Sequence, residues 1–379
     1  LLFGLATVTR PTSPNGRTRH HESRTGGSTV TTLHAPVPLV WQGPIRITGN
    51  TVHDEIEVPL ATFETPLWAS VRRGARLSMS IDSGILATVI DDRMTRSVLL
   101  EADDASAALA AVRRIHDQFT QARTVAAEGS RHTELIDVHH QITGNLLFLR
   151  FEYRTGDAAG HNMTTDAGDR LIAWLLATVE GLRYISVSGN YCTDKKASAV
   201  NGILGRGKNV VTEITVPARL VAQRLHTTAA RVADLNVRKN LIGTVLAGGI
   251  RTANAHYANM LLALYLATGQ DAANIVEGSQ GITHAENRGG DLYFSCTMPN
   301  LIVGTTGNGK QLGFAENNLD RLGCRDPRAP GDNARRLAVI VAATVLCGEL
   351  SLMAAQTNPG ELMRAHTRLE RAPHRTEPR

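Results

Sequence analysis

The spacing of apolar and polar positions changes character several times between residues 95 and 188. Thr95–Ala102 alternates as a strand, and Ala105–Gln121 is an alanine-rich run of helical period. Thr133–Ile142 and Leu146–Tyr153 read as strands on either side of a Gly144-Asn145 turn. Thr165–Glu180 places Leu171, Ile172, Leu175, Leu176 and Val179 on one side of a helix, and Leu182–Val187 reads as a closing strand. The order βαββαβ predicts a ferredoxin-like unit.

The flanking segments follow a different plan. Val37–Val58 reads as strand, turn and strand, with turns at Gly43-Pro44 and Gly49-Asn50. Thr65 and Pro66 stand as N-cap and first residue of a helix running through Leu77, which puts Glu64 at its mouth. An acid there is ordinarily a partner for the helix dipole. Leu235–Leu241 leads into a long Ala/Gly-rich helical region that carries His256 and Asn259 on one face, at i and i+3. Asp271 then falls at a helix C-terminus, an unfavourable place for an acid, which implies a cationic partner or a function. Ala334–Ala355 is a further apolar helix. The predicted fold class is α+β. A large mixed helix/strand domain is formed by residues 37–94 and 189–366, and a small ferredoxin-like domain, residues 95–188, is inserted into it. Residues 1–36 are expected to be a disordered arm and residues 367–379 a flexible tail.

Composition narrows the function. A length of 379 residues exceeds what one core usually holds. Aromatic residues make up only 4%, which argues against base-stacking modules, so no nucleic-acid partner is expected. The formal charge of +5 is spread along the chain and suits a polyanionic small molecule. The four cysteines, Cys192, Cys296, Cys324 and Cys347, show no metal-binding spacing, so no metal is expected and a reducing, cytoplasmic setting is. Leu241–Thr268 comes nearest to a bilayer-spanning run, but Arg251, Asn254, His256 and Asn259 interrupt it, so no membrane association is expected.

The most informative stretch is Ser186–Lys196, SVSGNYCTDKK, followed by Gly205-Arg206-Gly207-Lys208. A β-like run stops at Gly189 and gives way to small polar residues, an acid and two lysines, a loop able to aim an ammonium group. On spacing alone it is equally a solvated turn with surface lysines. Gly156–Met163 joins a strand to a helix start, where free N–H groups favour phosphate, although a plain connecting loop has the same spacing. No GxGxxG follows a first strand, so an ordinary dinucleotide fingerprint is not indicated.

SGNYCTDKK resembles the signature of the 3-hydroxy-3-methylglutaryl-CoA (HMG-CoA) reductase family, and further matches extend from Val58 to Arg371. Asp157–Met163 is similar to the family's DAMGMNM cofactor motif, with His161 in place of the second methionine. Asn254–Asn259 is similar to NAHxxN. Gly304–Lys310 is similar to GTVGGGT, with Thr306, Asn308 and Lys310 departing from it. Cys347–Ala355 also matches, whereas the family's ENVIG motif is not visible.

The resemblance implies reduction of HMG-CoA to mevalonate and CoA by two hydride transfers from NADPH, with NADH possible. It implies Glu64, Lys195, Asp271 and His366 as catalytic residues. Substrate binding falls to Ser70, Arg73, Arg96, Ser188, Asp194, Lys196, Lys239, His256 and Asn259. Cofactor binding falls to Ser130, Arg131, Asp157, His161, Asn162, Thr306, Gly307 and Asn308. It implies that residues 95–188 are the cofactor-binding domain and that the large domain binds substrate, in a homodimer or larger homo-oligomer in which one subunit's small domain serves its neighbour's substrate pocket. In this chemistry Lys195 would hold the developing oxyanion and Glu64, raised in pKa by burial, would protonate it. Asp271 would link the two, and His366 would meet the departing thiolate. Two rivals stand beside this reading: an enzyme forming a Schiff base on Lys195, and a non-catalytic binding or scaffold protein of the same fold.

Overall fold

The computed structural model describes residues 35–370; residues 1–34 and 371–379, where most of the expected arm and tail fall, lie outside the description, as do the side chains at positions 365, 366 and 368–370. The unit beginning at Pro38 opens with β1 (Leu39–Gly49), β2 (Asp54–Ala61), α1 (Pro66–Met79) and β3 (Ile85–Glu101). It continues with α2 (Ala105–Asp117), α3 (Phe119–Ala127), β4 (Glu134–Thr143), β5 (Leu146–Arg154), α4 (His161–Thr178) and β6 (Arg183–Ser186). Next come α5 (Val200–Leu204), β7 (Gly207–Val216), α6 (Ala229–Leu235), α7 (Tyr257–Ala267), α8 (Ile275–Gly278), β8 (Ile282–Arg288) and β9 (Asp291–Leu301). The described residues end in α9 (Gly313–Arg321), α10 (Asp332–Gln356) and α11 (Glu361–Glu370).

β3 organises the sheet. It spans 17 residues and begins at Ile85, well before the expected start at Thr95. Its first half pairs in parallel with β1 and antiparallel with β7. Its second half pairs antiparallel with β5 and β6. Asp91, Asp92 and Arg93 disguise the first half, because charges interrupt the alternation that marks a strand. Here they are paired instead: Lys208 Nζ lies 3.0 Å from Asp92, and Arg93 lies 2.5 Å from Asp91.

Around the second half of β3 the strand order is β4-β5-β3-β6, with every neighbour antiparallel. This is the ferredoxin-like arrangement. Its core joins Val98, Leu100, Leu149 and Phe151 of the strands to Ile115 of α2 and Leu171 and Leu175 of α4. Leu176, expected among them, is more than a third exposed. The larger core gathers α1, α7 and α10 against β1, β2, β7 and β9. Gly74 of α1 lets α10 pass closely, since a Cβ there would lie 2.3 Å from the Cys347 carbonyl oxygen.

Several expected boundaries differ. Thr65 occupies the N-cap position of α1 without a side-chain hydrogen bond, so Pro66 rather than a cap sets the helix start. The run Leu241–Thr268 is not one helix: a π-helical segment Asn236–Gly243 and a short turn end before the glycine pair at 248–249 and the left-handed Arg251, φ +53°. Among the described residues the helix long and apolar enough to cross a bilayer is α10, and 94% of that apolar stretch is buried in the core. The C-terminal segment remains helical to Glu370.

Candidate active site

The loop after β6 carries unusual backbone. Asn190, Thr193 and Lys195 have φ of +57°, +44° and +55°, three of the five non-glycine residues of left-handed conformation among the described residues. The loop holds Lys195 Nζ 2.7 Å from Asp271 Oδ2. Asp271 does not sit at a helix C-terminus as expected. It lies beyond the end of α7 and caps the following turn, accepting from the Ala273 N–H at 3.1 Å. The Asp271 hydrogen bond holds the Lys195 amine above the ordinary lysine value. Burial pushes the Asp271 carboxyl up, but the bonds from Lys195 and the Ala273 N–H outweigh it, and its pKa falls below the aspartate norm.

This pair lines a cavity of about 710 Å³ shared with Arg96, Asp194 and the two glycine-containing loops, 158–163 and 306–310. The loops touch: the Thr305 N–H donates to the Asp157 carbonyl, and a Cβ at Gly304 would lie 2.4 Å from the Ala159 nitrogen. Gly160, φ +93°, starts α4, and no side chain caps that helix end. His161, Asn162, Thr306, Gly307 and Asn308 all line the cavity. His161 Nε2 lies 3.7 Å from Asp194 Oδ1 and has no hydrogen-bond partner. Burial, then the Arg206 charge, lowers its pKa to about 4, so the ring is neutral near pH 7. Lys310 is buried against the same wall, its Nζ donating to the Asn308 carbonyl at 3.2 Å; burial lowers its pKa.

Glu64 lies elsewhere. It lines a second cavity of about 750 Å³ with Ser70, Arg73, His256, Asn259 and the Glu361–Arg364 turn. Asn259 Nδ2 donates to Glu64 Oε2 at 2.8 Å. The expected Asp271 link between Lys195 and Glu64 is therefore not made within the chain, and the burial expected around Glu64 is absent, for it is exposed. His256 is not on a helix face with Asn259; it precedes α7 with φ −161°. Its Nδ1 lies 3.1 Å from Glu349 Oε2, and Glu349, fully buried in α10, also accepts the Ala255 and His256 N–H groups. Lys239 donates to Asn240 Oδ1, and its pKa is lowered by burial against the opposing charge of Glu349. Ser70 donates to the Gly348 carbonyl, and Arg73 bridges Glu361 and the Arg224 and Leu225 carbonyls.

Other expected residues line neither cavity. Asp157 Oδ1 accepts from the Ala334 N–H at 3.0 Å, docking its loop on the start of α10. Ser188 is exposed, with its N–H on Ser186 Oγ. Lys196 Nζ donates to the Asp194 carbonyl. Ser130 Oγ accepts from the His132 N–H, and the exposed Arg131 Nε donates to His132 Nε2. A Cβ at Gly156 would meet His132 at 3.9 Å, which places the 130–132 turn beside the cofactor-motif loop. The His366 side chain lies outside the described residues. Sequence reasoning gave no role to Glu277, Arg206 or Glu349; acids at fully buried positions are detectable in sequence only as charges interrupting apolar runs, as Glu349 does. Asp137, His139 and Glu152 bring ligand atoms within 4.8 Å of one another, but Glu152 is already paired with Arg93 and Arg150, whose charges oppose a cation.

A ferredoxin-like unit and a mixed body sharing one long strand, with a lysine–aspartate pair in a glycine-walled cavity, define an α+β enzyme. The family model described as hydroxymethylglutaryl-coenzyme A reductase matches residues 28–371. The chain belongs to that family, and with it to the oxidoreductases. It is 43% identical over 337 residues to the 3-hydroxy-3-methylglutaryl-coenzyme A reductase of Aeropyrum pernix, covering 88% of this chain and 79% of the relative. The Pyrococcus abyssi protein of the same name is 43% identical over 88% of this chain and 82% of its own length. The class II reductase of Streptococcus pneumoniae, solved bound to NADPH in open conformations, shares the fold with a TM-score of 0.69 at 20% identity, over 87% of this chain and 86% of that one.

Proposed function

We propose that this chain reduces HMG-CoA to mevalonate and CoA with two hydrides from NADPH. The observation that carries the reading is the Lys195–Asp271 pair at 2.7 Å, standing at the wall of the cavity between the two glycine-containing loops. NADPH supplies the hydride when bound. The residues present fit such a group: the uncapped start of α4 offers N–H groups to a phosphate, Gly307 lines the cavity without a side chain, and Lys310 adds a cation. Arg131, at the turn beside this loop, is the candidate for a 2′-phosphate. NADH remains a second donor to be tested.

Lys195, kept protonated by Asp271, holds negative charge as it develops on the substrate oxygen. The same protonation disfavours a Schiff base, which requires a free amine. Arg96 and Asp194 stand by to orient the substrate's polar groups. Glu64 donates the proton from the other cavity, with His256, Asn259 and Lys239 on its side, and His366 meets the thiolate. The complete site then needs two chains, Glu64 from one and Lys195 from the other. A second copy also has a surface to cover: Val237, Leu241, Ile242, Val245, Leu246 and Ile250 are all exposed along one segment. The buried free thiols suit a reducing cytoplasm.

Loss of nicotinamide absorbance with HMG-CoA and each nucleotide tests the reading. Activity is expected with NADPH, and Lys195→Ala should lower turnover by roughly a hundredfold or more. No turnover by the wild type, or near-normal turnover by a folded Lys195→Ala, overturns it.

A further inference from the structure

Glu277 lines neither cavity, yet both of its carboxylate oxygens are committed beneath the Lys195 pair. Its side chain is fully buried in α8. Oε1 accepts the backbone N–H of Lys195 at 3.2 Å. Oε2 accepts Asn201 Nδ2 at 2.8 Å and Arg206 Nε at 3.0 Å. Arg206 is 1% exposed and spends its remaining donors on the Thr95 carbonyl, Thr95 Oγ1 and Asp194 Oδ1, the last at 2.8 Å. One carboxylate therefore ties the Lys195 backbone directly and the Asp194 side chain through one guanidinium.

The loop requires such a tie. Left-handed backbone at a non-glycine residue is sterically disfavoured and persists only where the surroundings enforce it. Lys195 is in that conformation, as are Thr193 and Asn190. The segment 271–277 grips Lys195 at both ends: Asp271 takes the ammonium and Glu277 takes the backbone N–H. Because the turn Ala272–Asn274 runs directly into α8, the two acids are held in fixed relation to each other.

Resting on the functional reading above, we propose that Glu277 is a positioning residue for catalysis: it fixes the strained backbone of Lys195, and through Arg206 the carboxylate of Asp194, so that Lys195 Nζ is presented to the reacting oxygen. A purely structural acid would affect folding alone. A positioning acid affects what the Lys195 ammonium experiences in protein that is still folded. The charged groups acting on that ammonium are Asp271, Asp194 and Glu277.

The test uses the full chain with Glu277→Gln and Glu277→Asp. The first keeps the shape but removes the charge opposite Arg206. The second keeps the charge, so it protects the fold, but withdraws the carboxylate by one methylene from the Lys195 N–H. In folded protein, kcat with HMG-CoA should fall about tenfold or more while the KM for NADPH stays within about twofold. NMR of 15N-labelled lysines, with the Lys195 signal assigned from Lys195→Arg, should show its amine titrating at lower pH than in the wild type. A folded variant with kcat within twofold of wild type and an unmoved Lys195 titration overturns the proposal; if Glu277→Gln does not fold, Glu277→Asp decides. Should the wild type fail to reduce HMG-CoA, the functional reading falls, while the Lys195 titration in the charge-preserving Glu277→Asp still reports whether Glu277 positions Lys195.

Discussion

Asn259 and Asp271 bracket the same helix. Asn259, near the start of α7, donates to Glu64 at 2.8 Å, and Asp271, beyond the end of α7, pairs with Lys195 at 2.7 Å. An α-helix rises about 1.5 Å per residue, so the eight steps from Asn259 to the end of α7 at Ala267 set the two pairs roughly 12 Å apart along its axis. Glu64 and Lys195 of one chain line different cavities, and the two linings have no residue in common.

The shared site can therefore be tested by complementation between Glu64→Gln and Lys195→Ala. A mixed dimer combines both defects in one site and leaves the other intact. With equal amounts and free exchange, half the dimers are mixed, so about a quarter of wild-type activity should return. Asp157→Ala mixed with Lys195→Ala is the control, since both residues belong to the Lys195 side and nothing should be regained. Mass spectrometry confirms exchange; mixed Glu64/Lys195 dimers without recovery would place the whole site in one chain.

His366→Gln should impair reduction of the thioester yet largely spare reduction of free mevaldehyde, which has no thiolate to expel. Steady-state rates on the two substrates make the comparison. Equal loss on both would give His366 a shared or structural role.

His161 makes acid stability measurable. Its folded pKa of about 4 lies below the ordinary 6.5, so the folded state favours the neutral ring. For a depressed pKa, the associated stability is complete above pH 6.5 and is lost as pH falls through 4. A shift of this size corresponds to about 3 kcal/mol over that window. Thermal melts of wild type and His161→Met across pH 7 to 4 should diverge, with the methionine variant declining less. Parallel curves would show that folding does not depress the His161 pKa.

Gly74→Ala probes the crossing of α1 and α10. The added Cβ would sit 2.3–2.6 Å from the Cys347 backbone, which cannot swing aside like a side chain. A loss of about 1–3 kcal/mol is expected from overpacking. Chemical denaturation measures it, and an unchanged midpoint would mean that the helices separate freely.

Much of this protein was determined by local sequence. The change from alternating to helical spacing gives the βαββαβ order, because period-2 and period-3.6 patterns are properties of neighbouring residues. The loop at Ser186–Lys196 and the glycine-containing stretches were likewise legible, since small residues in a short span mark chain that must bend or approach a ligand closely. Tertiary structure decided the rest. β3 extends back to Ile85 because Asp92 finds Lys208 on β7, a partner that strand alternation does not reveal. His256 leaves the helix because Glu349, 93 residues away, takes its N–H and its ring. Lys195 holds a left-handed backbone because Glu277, 82 residues away, accepts its N–H. Glu64 and Lys195 face different cavities because a rigid helix stands between their partners. Each of these outcomes depends on which buried charge meets which donor after folding, and such pairings follow three-dimensional proximity rather than spacing along the chain.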